Sequence, residues 1–277
     1  MDRPTRPADG SDLPHLAEEA VRSRVVGNAS ELLAIMSEEP WRLRVTERGE
    51  AAVLGPRSDG SGDLAVLGLW CASPRIPALV RDLVEVARTH GFVRLIGPLV
   101  PEAQAGPYLR AGLHVTDRVA VLRCDRPADA PVLPPPPGVT IREARFDDLD
   151  FVARIDAAAF PAFWRYDAVR LAGLLDADRG AVAEEDGDLI GYTLATVSDG
   201  EGGLGRLAVV DGARGRGVGA ALASEAVAWL AAHGARAVTL STQAENEASR
   251  RLYGGLGFRR LPDTLVVCAS EPLAASH

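Results

Sequence analysis

From Val139 onward the spacing of hydrophobic positions switches repeatedly between the short period of strands and the longer period of helices. VTIREAR (Val139 to Arg145) reads as a strand, and DDLDFVARIDAAAF (Asp147 to Phe160) as a helix opened by acidic residues that suit its N-terminal dipole. YDAVRLAGLLDA reads as a second short helix. GAVAEEDGDLIGYTLATVSDG splits around Asp186-Gly187-Asp188 into the two strands of a hairpin. RLAVV (Arg206 to Val210) is a short apolar strand, followed by a glycine-rich turn and a long helix that stops at His233-Gly234. AVTLSTQ predicts another strand, NEASRRLYGGLG a helix with Asn246 as N-cap, and TLVVCA a last strand. Strands and helices alternate, which is the pattern of an α/β domain.

The segment RPADAPVLPPPPG, Arg126 to Gly138, has four consecutive prolines and neither period, so it reads as an extended linker near the middle of the chain. This predicts a first domain over 1–125, a linker over 126–138 and a second domain over 139–277. The first half echoes the second. Leu64-Ala65-Val66-Leu67 matches Leu207-Ala208-Val209-Val210 at an offset of 143, and His90-Gly91 matches His233-Gly234 at the same offset. Tyr108-Leu109-Arg110-Ala111-Gly112-Leu113 matches Tyr253-Gly254-Gly255-Leu256-Gly257-Phe258 at 145. Three matches in order, on like elements, point to an internal duplication. The part before about Trp41 is too short to predict a complete first strand and helix pair.

Composition narrows the functional classes. Of 277 residues, 25% are charged and 47% hydrophobic, as in ordinary globular proteins, and the formal net charge of −8 argues against nonspecific nucleic-acid binding. Three cysteines with no Cys-x-x-Cys pair exclude a disulfide framework and a zinc or redox motif, so no metal is expected. The N-terminal MDRPTRPADGSDLP has no apolar core of a signal peptide, and no run approaches the ~18 apolar residues of a spanning helix. The expectation is a cytoplasmic protein without membrane or nucleic-acid partners; a homo-oligomer is compatible with it.

The chemistry concentrates in ARGRGVGAAL, Ala213 to Leu222. A strand, a glycine-rich turn and a helix N-terminus make an anion site, because glycines let backbone N–H groups approach the ligand and the helix dipole adds partial positive charge. The ligand is a phosphate or pyrophosphate. No Lys-Ser/Thr pair follows, which excludes a P-loop. Gly215-x-Gly217-x-x-Ala220 formally fits a dinucleotide fingerprint, but it does not open the fold and has no acidic residue near Ala235 to Leu240 for a ribose.

Arg214-Gly215-Arg216-Gly217-Val218-Gly219 resembles the Arg/Gln-x-x-Gly-x-Gly/Ala pyrophosphate loop of the GNAT superfamily of acyl-CoA-dependent N-acyltransferases. The LAVV before it resembles that family's central strand, and Asn246-x-x-Ser249-x-x-Leu252-Tyr253-x-x-x-Gly257-Phe258 its later CoA-contacting helix. The resemblance covers Val139 to Ala269 and implies an α/β fold of two GNAT-like domains in tandem, each a mixed central sheet flanked by helices. It implies acetyl-CoA as acyl donor, its pyrophosphate held by Arg214, Gly215, Arg216, Gly217, Val218, Gly219 and Ala220. The pantetheine arm would pair with the backbone of Leu207, Ala208 and Val209, and Asn246 and Ser249 would touch the far portion.

The resemblance further implies that an acceptor amine attacks the thioester directly, with Tyr253 as general acid for the departing thiolate. Many relatives carry a glutamate base on the central strand; GLGRLAVV has none, and Glu201 and Glu245 are the nearest acidic residues. FPAFWRYD concentrates Phe160, Phe163, Trp164 and Tyr166 in a chain only 5% aromatic, so these are the expected acceptor-pocket residues, with Arg165 and Asp167 beside them to orient a charged group. The acceptor class is a small-molecule or peptide primary amine. The competing class is a non-catalytic acyl-CoA-binding or scaffold module. In the first half the glycine turn is replaced by Cys71-Ala72-Ser73-Pro74-Arg75-Ile76-Pro77, whose prolines remove donors, so that half is expected to have lost the cofactor.

Overall fold

The computed structural model of the chain describes residues 5–22, 25, 29–57, 59–166, 168–177 and 179–273. The chain divides into two compact units, Met1–Arg118 with Leu265–His277, and Val119–Thr264. Both boundaries fall inside long strands rather than at the proline-rich segment, so the expected division into 1–125, 126–138 and 139–277 shifts, and the end of the chain returns to the first unit.

The first unit contains β1 (Arg6–Pro7), α1 (Leu13–Arg22), α2 (Ala29–Glu38), β2 (Leu43–Val45), β3 (Ala51–Pro56), β4 (Leu64–Trp70), α3 (Ile76–Thr89), β5 (Leu95–Ile96), β6 (Val100–Pro101), α4 (Gly106–Arg110) and the first part of β7 (His114–Cys124). Strands β1 to β4 form an antiparallel run, and β5 joins β4 in parallel. The helix α3 buries Leu79, Val80, Leu83 and Ala87, one face of a 3.6-residue period, against Leu54, Leu64 and Leu95. Contrary to the expectation for the residues before Trp41, a strand and two helices precede it, with Leu16, Ala20 and Leu32 packed on Leu43 and Val53. The strand β1 is only two residues long, too short to leave a period in the sequence.

The second unit contains the end of β7, then β8 (Val139–Glu143), α5 (Leu149–Ala159), α6 (Ala168–Ala177), β9 (Arg179–Glu185), β10 (Asp188–Ser198), β11 (Glu201–Val209), α7 (Val218–Ala232), β12 (Ala237–Gln243), α8 (Glu247–Gly255) and the start of β13 (Arg259–Ala269). Its strand order is β7, β12, β11, β10, β9, β8, with β11 and β12 parallel and the rest antiparallel. Neighbouring residues on a strand face opposite ways: Val182 and Ala208 join the core under α5 and α6, while Ala183 and Val209 join the core under α7.

Helix α7, VGAALASEAVAWLAA, is apolar nearly all round and therefore needs cover on both sides. The sheet covers one side and the proline-rich segment the other: Ser224 Oγ donates to the Pro131 carbonyl at 3.0 Å and accepts the Leu133 N–H at 2.8 Å. The segment is extended, as expected, but it is a fixed strap of the second unit. Replacing the buried Ser224 with alanine removes both bonds and is expected to lower stability by about 1 kcal/mol, read as a shift in the urea midpoint.

The internal echo is real, with one change of register. Each unit has a bulge on the strand before its helix, at Leu67 in β4 and Gly205 in β11, an offset of 138, whereas the helix ends at His90 and His233 are offset by 143. The match of LAVL to LAVV is therefore five residues out, and the connection from strand to helix is three residues shorter in the first unit, five residues (71–75) against eight (210–217).

Candidate active site

Strands β11 and β12 pair only over Glu201–Gly203, opposite Ala237–Thr239. Beyond that β11 stays with β10 and β12 with β7, so a cleft opens between them. The cause is local: Leu194 opposes Arg206 and Ala195 opposes Leu204, leaving Gly205 as the extra residue of a bulge that bends β11. Leu207, Ala208 and Val209, beyond the bulge, line a cavity of about 650 Å³.

At one end of the cleft stands the glycine loop. Gly215 and Gly217 take left-handed backbone angles, φ +73° and +92°, and Gly217 is the N-cap of α7. No side chain caps this helix, so the N–H groups of Val218, Gly219 and Ala220 have no acceptor within it. Gly215, Gly217, Gly219, Ala220 and Arg214 line the cleft. Arg214 is held by its Nε–H on the Val209 carbonyl at 3.1 Å and an ion pair with Asp211 at 2.8 Å. Two expected members take other roles: the guanidinium of Arg216 pairs with Glu185 at 2.9 Å, and the Val218 side chain is fully buried, leaving only their backbones to the loop. Valine in place of Gly217 would meet the Pro136 ring and hold a backbone angle that disfavours β-branched residues. That variant is expected to fold while losing at least about tenfold in acetyl-CoA affinity, measured by calorimetry.

The opposite wall comes from α8. Asn246 caps this helix, its side chain accepting the Ser249 N–H at 3.0 Å, as the sequence predicts. The cap places Asn246, Ser249 and Tyr253 along the cleft. Tyr253 is only 6% exposed and packs on Phe258 with ring centroids 5.6 Å apart. Burial pushes its phenol above the ordinary tyrosine value, so it stays protonated and able to donate across the neutral range.

A family model, Acetyltransferase (GNAT) family, matches residues 149–258. The chain is 31% identical over 265 residues to a mycothiol acetyltransferase of a Nocardioides species, covering 82% of this chain and 85% of that one. It is also 31% identical over 278 residues to the mycothiol acetyltransferase of Tsukamurella paurometabola, covering 91% and 93%. The chain belongs to the GNAT acetyltransferase family. It is an acyltransferase, and the family's acyl donor is acetyl-CoA. The fold agrees: a tandem GNAT protein from the clavulanic acid biosynthesis pathway superposes with a TM-score of 0.69 at 18% identity, covering 100% and 99% of the two chains. A GCN5-related N-acetyltransferase from Sphaerobacter thermophilus gives 0.64 at 21% identity, covering 98% and 97%.

Within this GNAT cleft the expected base residues are absent. Glu201 opens β11 at the end paired with β12, five residues or about 16 Å of strand from Arg206. Its carboxylate is paired with Arg123 at 2.9 Å, which holds its pKa below the usual value. Glu245 is exposed and outside the lining. Neither is placed to take a proton from an amine in the cleft, and among the described residues lining it there is no carboxylate and no imidazole. Phe160, Trp164 and Tyr166 do line the cleft; Phe163 does not, and packs edge-on against Trp164 at 4.9 Å. Arg165 is exposed and donates to the Phe160 carbonyl, and Asp167 lies outside the described residues.

Sequence reasoning missed the polar cluster behind these aromatics. Asp156, fully buried on α5, accepts from Arg206 Nε and Nη2 at 2.7 and 2.9 Å, from the Tyr192 hydroxyl at 2.5 Å and from the Tyr166 N–H at 3.0 Å. Burial, then the Asp156 charge, raises the Tyr192 phenol far above its ordinary value, so it remains a donor. The signal in the sequence was one charge in each of two apolar runs, the aspartate of IDAAAF and the arginine of GLGRLAVV. Arg251, on α8, is another unforeseen lining residue. Among the described residues no group of His, Cys, Asp and Glu is arranged to hold a metal, and no helix is long and apolar enough to cross a membrane.

Proposed function

We propose that the second unit binds acetyl-CoA in this cleft and transfers the acetyl group to a primary amine of a small molecule by direct attack. The observation that carries the reading is that one cleft runs from the uncapped donors of α7, past the free edge of β11, to Tyr253 and the aromatic wall. The donors suit a pyrophosphate, and the strand edge suits the amide-bearing arm between the phosphates and the thioester. In the transfer, the amine lone pair forms the N–C bond while the C–S bond breaks. The Tyr253 phenol protonates the leaving thiolate, and the proton shed by the acylated nitrogen passes through water to restore the phenol. With no base among the described residues of the lining, the acceptor must be neutral at modest cost: about 1 kcal/mol at pH 7 for an α-amine, against nearly 5 for a lysine-like amine.

Both curated relatives are named for mycothiol, so a mycothiol-related amine is the acceptor to try first. The test incubates the full chain with acetyl-CoA and the amine and looks for the N-acetyl product by mass spectrometry; its absence with all amines tried would sink the reading. A pH profile adds a second check. The rate rises as the acceptor loses its proton, and because the Tyr253 phenol is raised by burial, no fall from its ionisation is expected below about pH 10. We further propose that the first unit has no cofactor site, since its strand-to-helix connection is three residues shorter and the chain there reads CASPRIP.

A further inference from the structure

The acceptor end of the cleft contains one charged side chain that the transfer chemistry leaves unused. Arg206 is 7% exposed, and its guanidinium carbon lies 3.7 Å from the Phe160 ring centre and 3.8 Å from that of Tyr166. One edge of the guanidinium is spent: Nε and Nη2 donate to the two oxygens of Asp156, and Nη2 also donates to the Trp164 carbonyl. Of the five N–H groups in the fork, the two on Nη1 remain. Among the described residues Nη1 has no hydrogen-bond partner, while Arg206 lines the cleft. The fork cannot turn to find one, because Asp156 and the two rings fix its plane.

We propose that Nη1 of Arg206 accepts the carbonyl oxygen of an α-aminoacyl group as its partner, donating to it, so that the acceptor is an amine whose neighbouring carbon bears a C=O. The inference rests on the acetyl-transfer reading above and names the acceptor class for the same site. A neutral carbonyl fits better than a carboxylate, because Asp156 already matches the Arg206 charge and a second anion would stand unpaired. The lining points the same way independently. With no carboxylate or imidazole among its described residues to take a proton, the site suits an amine that sheds its proton near neutrality, and α-amines titrate at about 7.8 whereas lysine-like amines titrate at about 10.4. The faces of Phe160 and Tyr166 that meet Arg206 are occupied, so they are not free to cage an ammonium ion.

The test compares, on the full chain with saturating acetyl-CoA, a panel of L-aminoacyl amides, the corresponding free amino acids, and the amines lacking the carbonyl, such as L-alaninamide, L-alanine and isopropylamine. Rates are read as N-acetyl product and corrected to the neutral-amine fraction. The amides are expected to exceed the carbonyl-free amines in kcat/KM by about 10- to 150-fold, the range of a hydrogen bond from a charged donor. Because Arg206→Gln alone strands Asp156, the variant paired with it is Asp156→Asn, which keeps shape and removes both charges. In that double variant the advantage should shrink to about threefold or less, with acetyl-CoA binding intact. Equal rates for isopropylamine and L-alaninamide, a preference for free L-alanine, or an advantage that survives in the double variant would overturn the inference while leaving acetyl transfer standing. Product from no amine at all, with acetyl-CoA bound, would overturn the function and the inference with it.

Discussion

Replacing Tyr253 with phenylalanine is expected to lower kcat by about 10²- to 10⁴-fold while changing acetyl-CoA affinity by less than about twofold. The substitution removes one hydroxyl and keeps the ring that packs on Phe258 and Leu256, so the core under α8 is preserved. In the proposed transfer the hydroxyl contributes only when the thiolate leaves, which places the expected loss in kcat rather than in binding. Its counterpart by the internal repeat, Tyr108, is buried in the first unit with its phenol pushed up to about 12 by burial. Tyr108→Phe is the matched control, expected to leave kcat unchanged. If Tyr253→Phe retained full kcat, Tyr253 would be a packing residue like Tyr108, and proton delivery to the thiolate would need another source.

The largest loss of stability is expected at Asp156. Alanine there leaves the buried Arg206 guanidinium without its counter-charge, and deprives the Tyr192 hydroxyl and Tyr166 N–H of their acceptor. Breaking a buried ion pair from one side costs about 3–5 kcal/mol, enough to unfold many domains of this size. The double variant Asp156→Leu with Arg206→Met removes both charges together and is expected to recover most of that loss, because the pair's own net contribution is small. Urea unfolding of the wild type and both variants separates these outcomes. A loss below about 1 kcal/mol for Asp156→Ala would mean that water reaches the cluster and the pair is not buried in solution.

What was legible in the sequence was what depends on neighbours along the chain. The strand Ala237–Gln243, the helix ending at His233-Gly234 and the Asn246 cap follow from local period and local hydrogen bonding. The anion loop was legible for the same reason, since its glycines and helix terminus are contiguous. Strand β11 was read as starting five residues late because Gly202, Gly203 and Gly205 hide its period, and Gly205 is the bulge that opens the cleft. Side-chain roles set at long range were not legible. Arg216 looks like a phosphate contact until Glu185, 31 residues away, takes its guanidinium. Asp156 and Arg206 are 50 residues apart and meet only when α5 lies on the sheet. The missing base has the same origin: Glu201 is near LAVV in sequence but at the wrong end of the strand, and Arg123 of β7 claims it.

Titration of the full chain with acetyl-CoA by calorimetry tests the central claim most directly. The account predicts one site per chain, lost in Gly217→Val and kept in Tyr253→Phe. Two sites per chain would show that the shortened connection at Pro74 and Pro77 still binds the donor, and no binding, or binding that Gly217→Val leaves intact, would contradict the placement of acetyl-CoA in the cleft between β11 and β12.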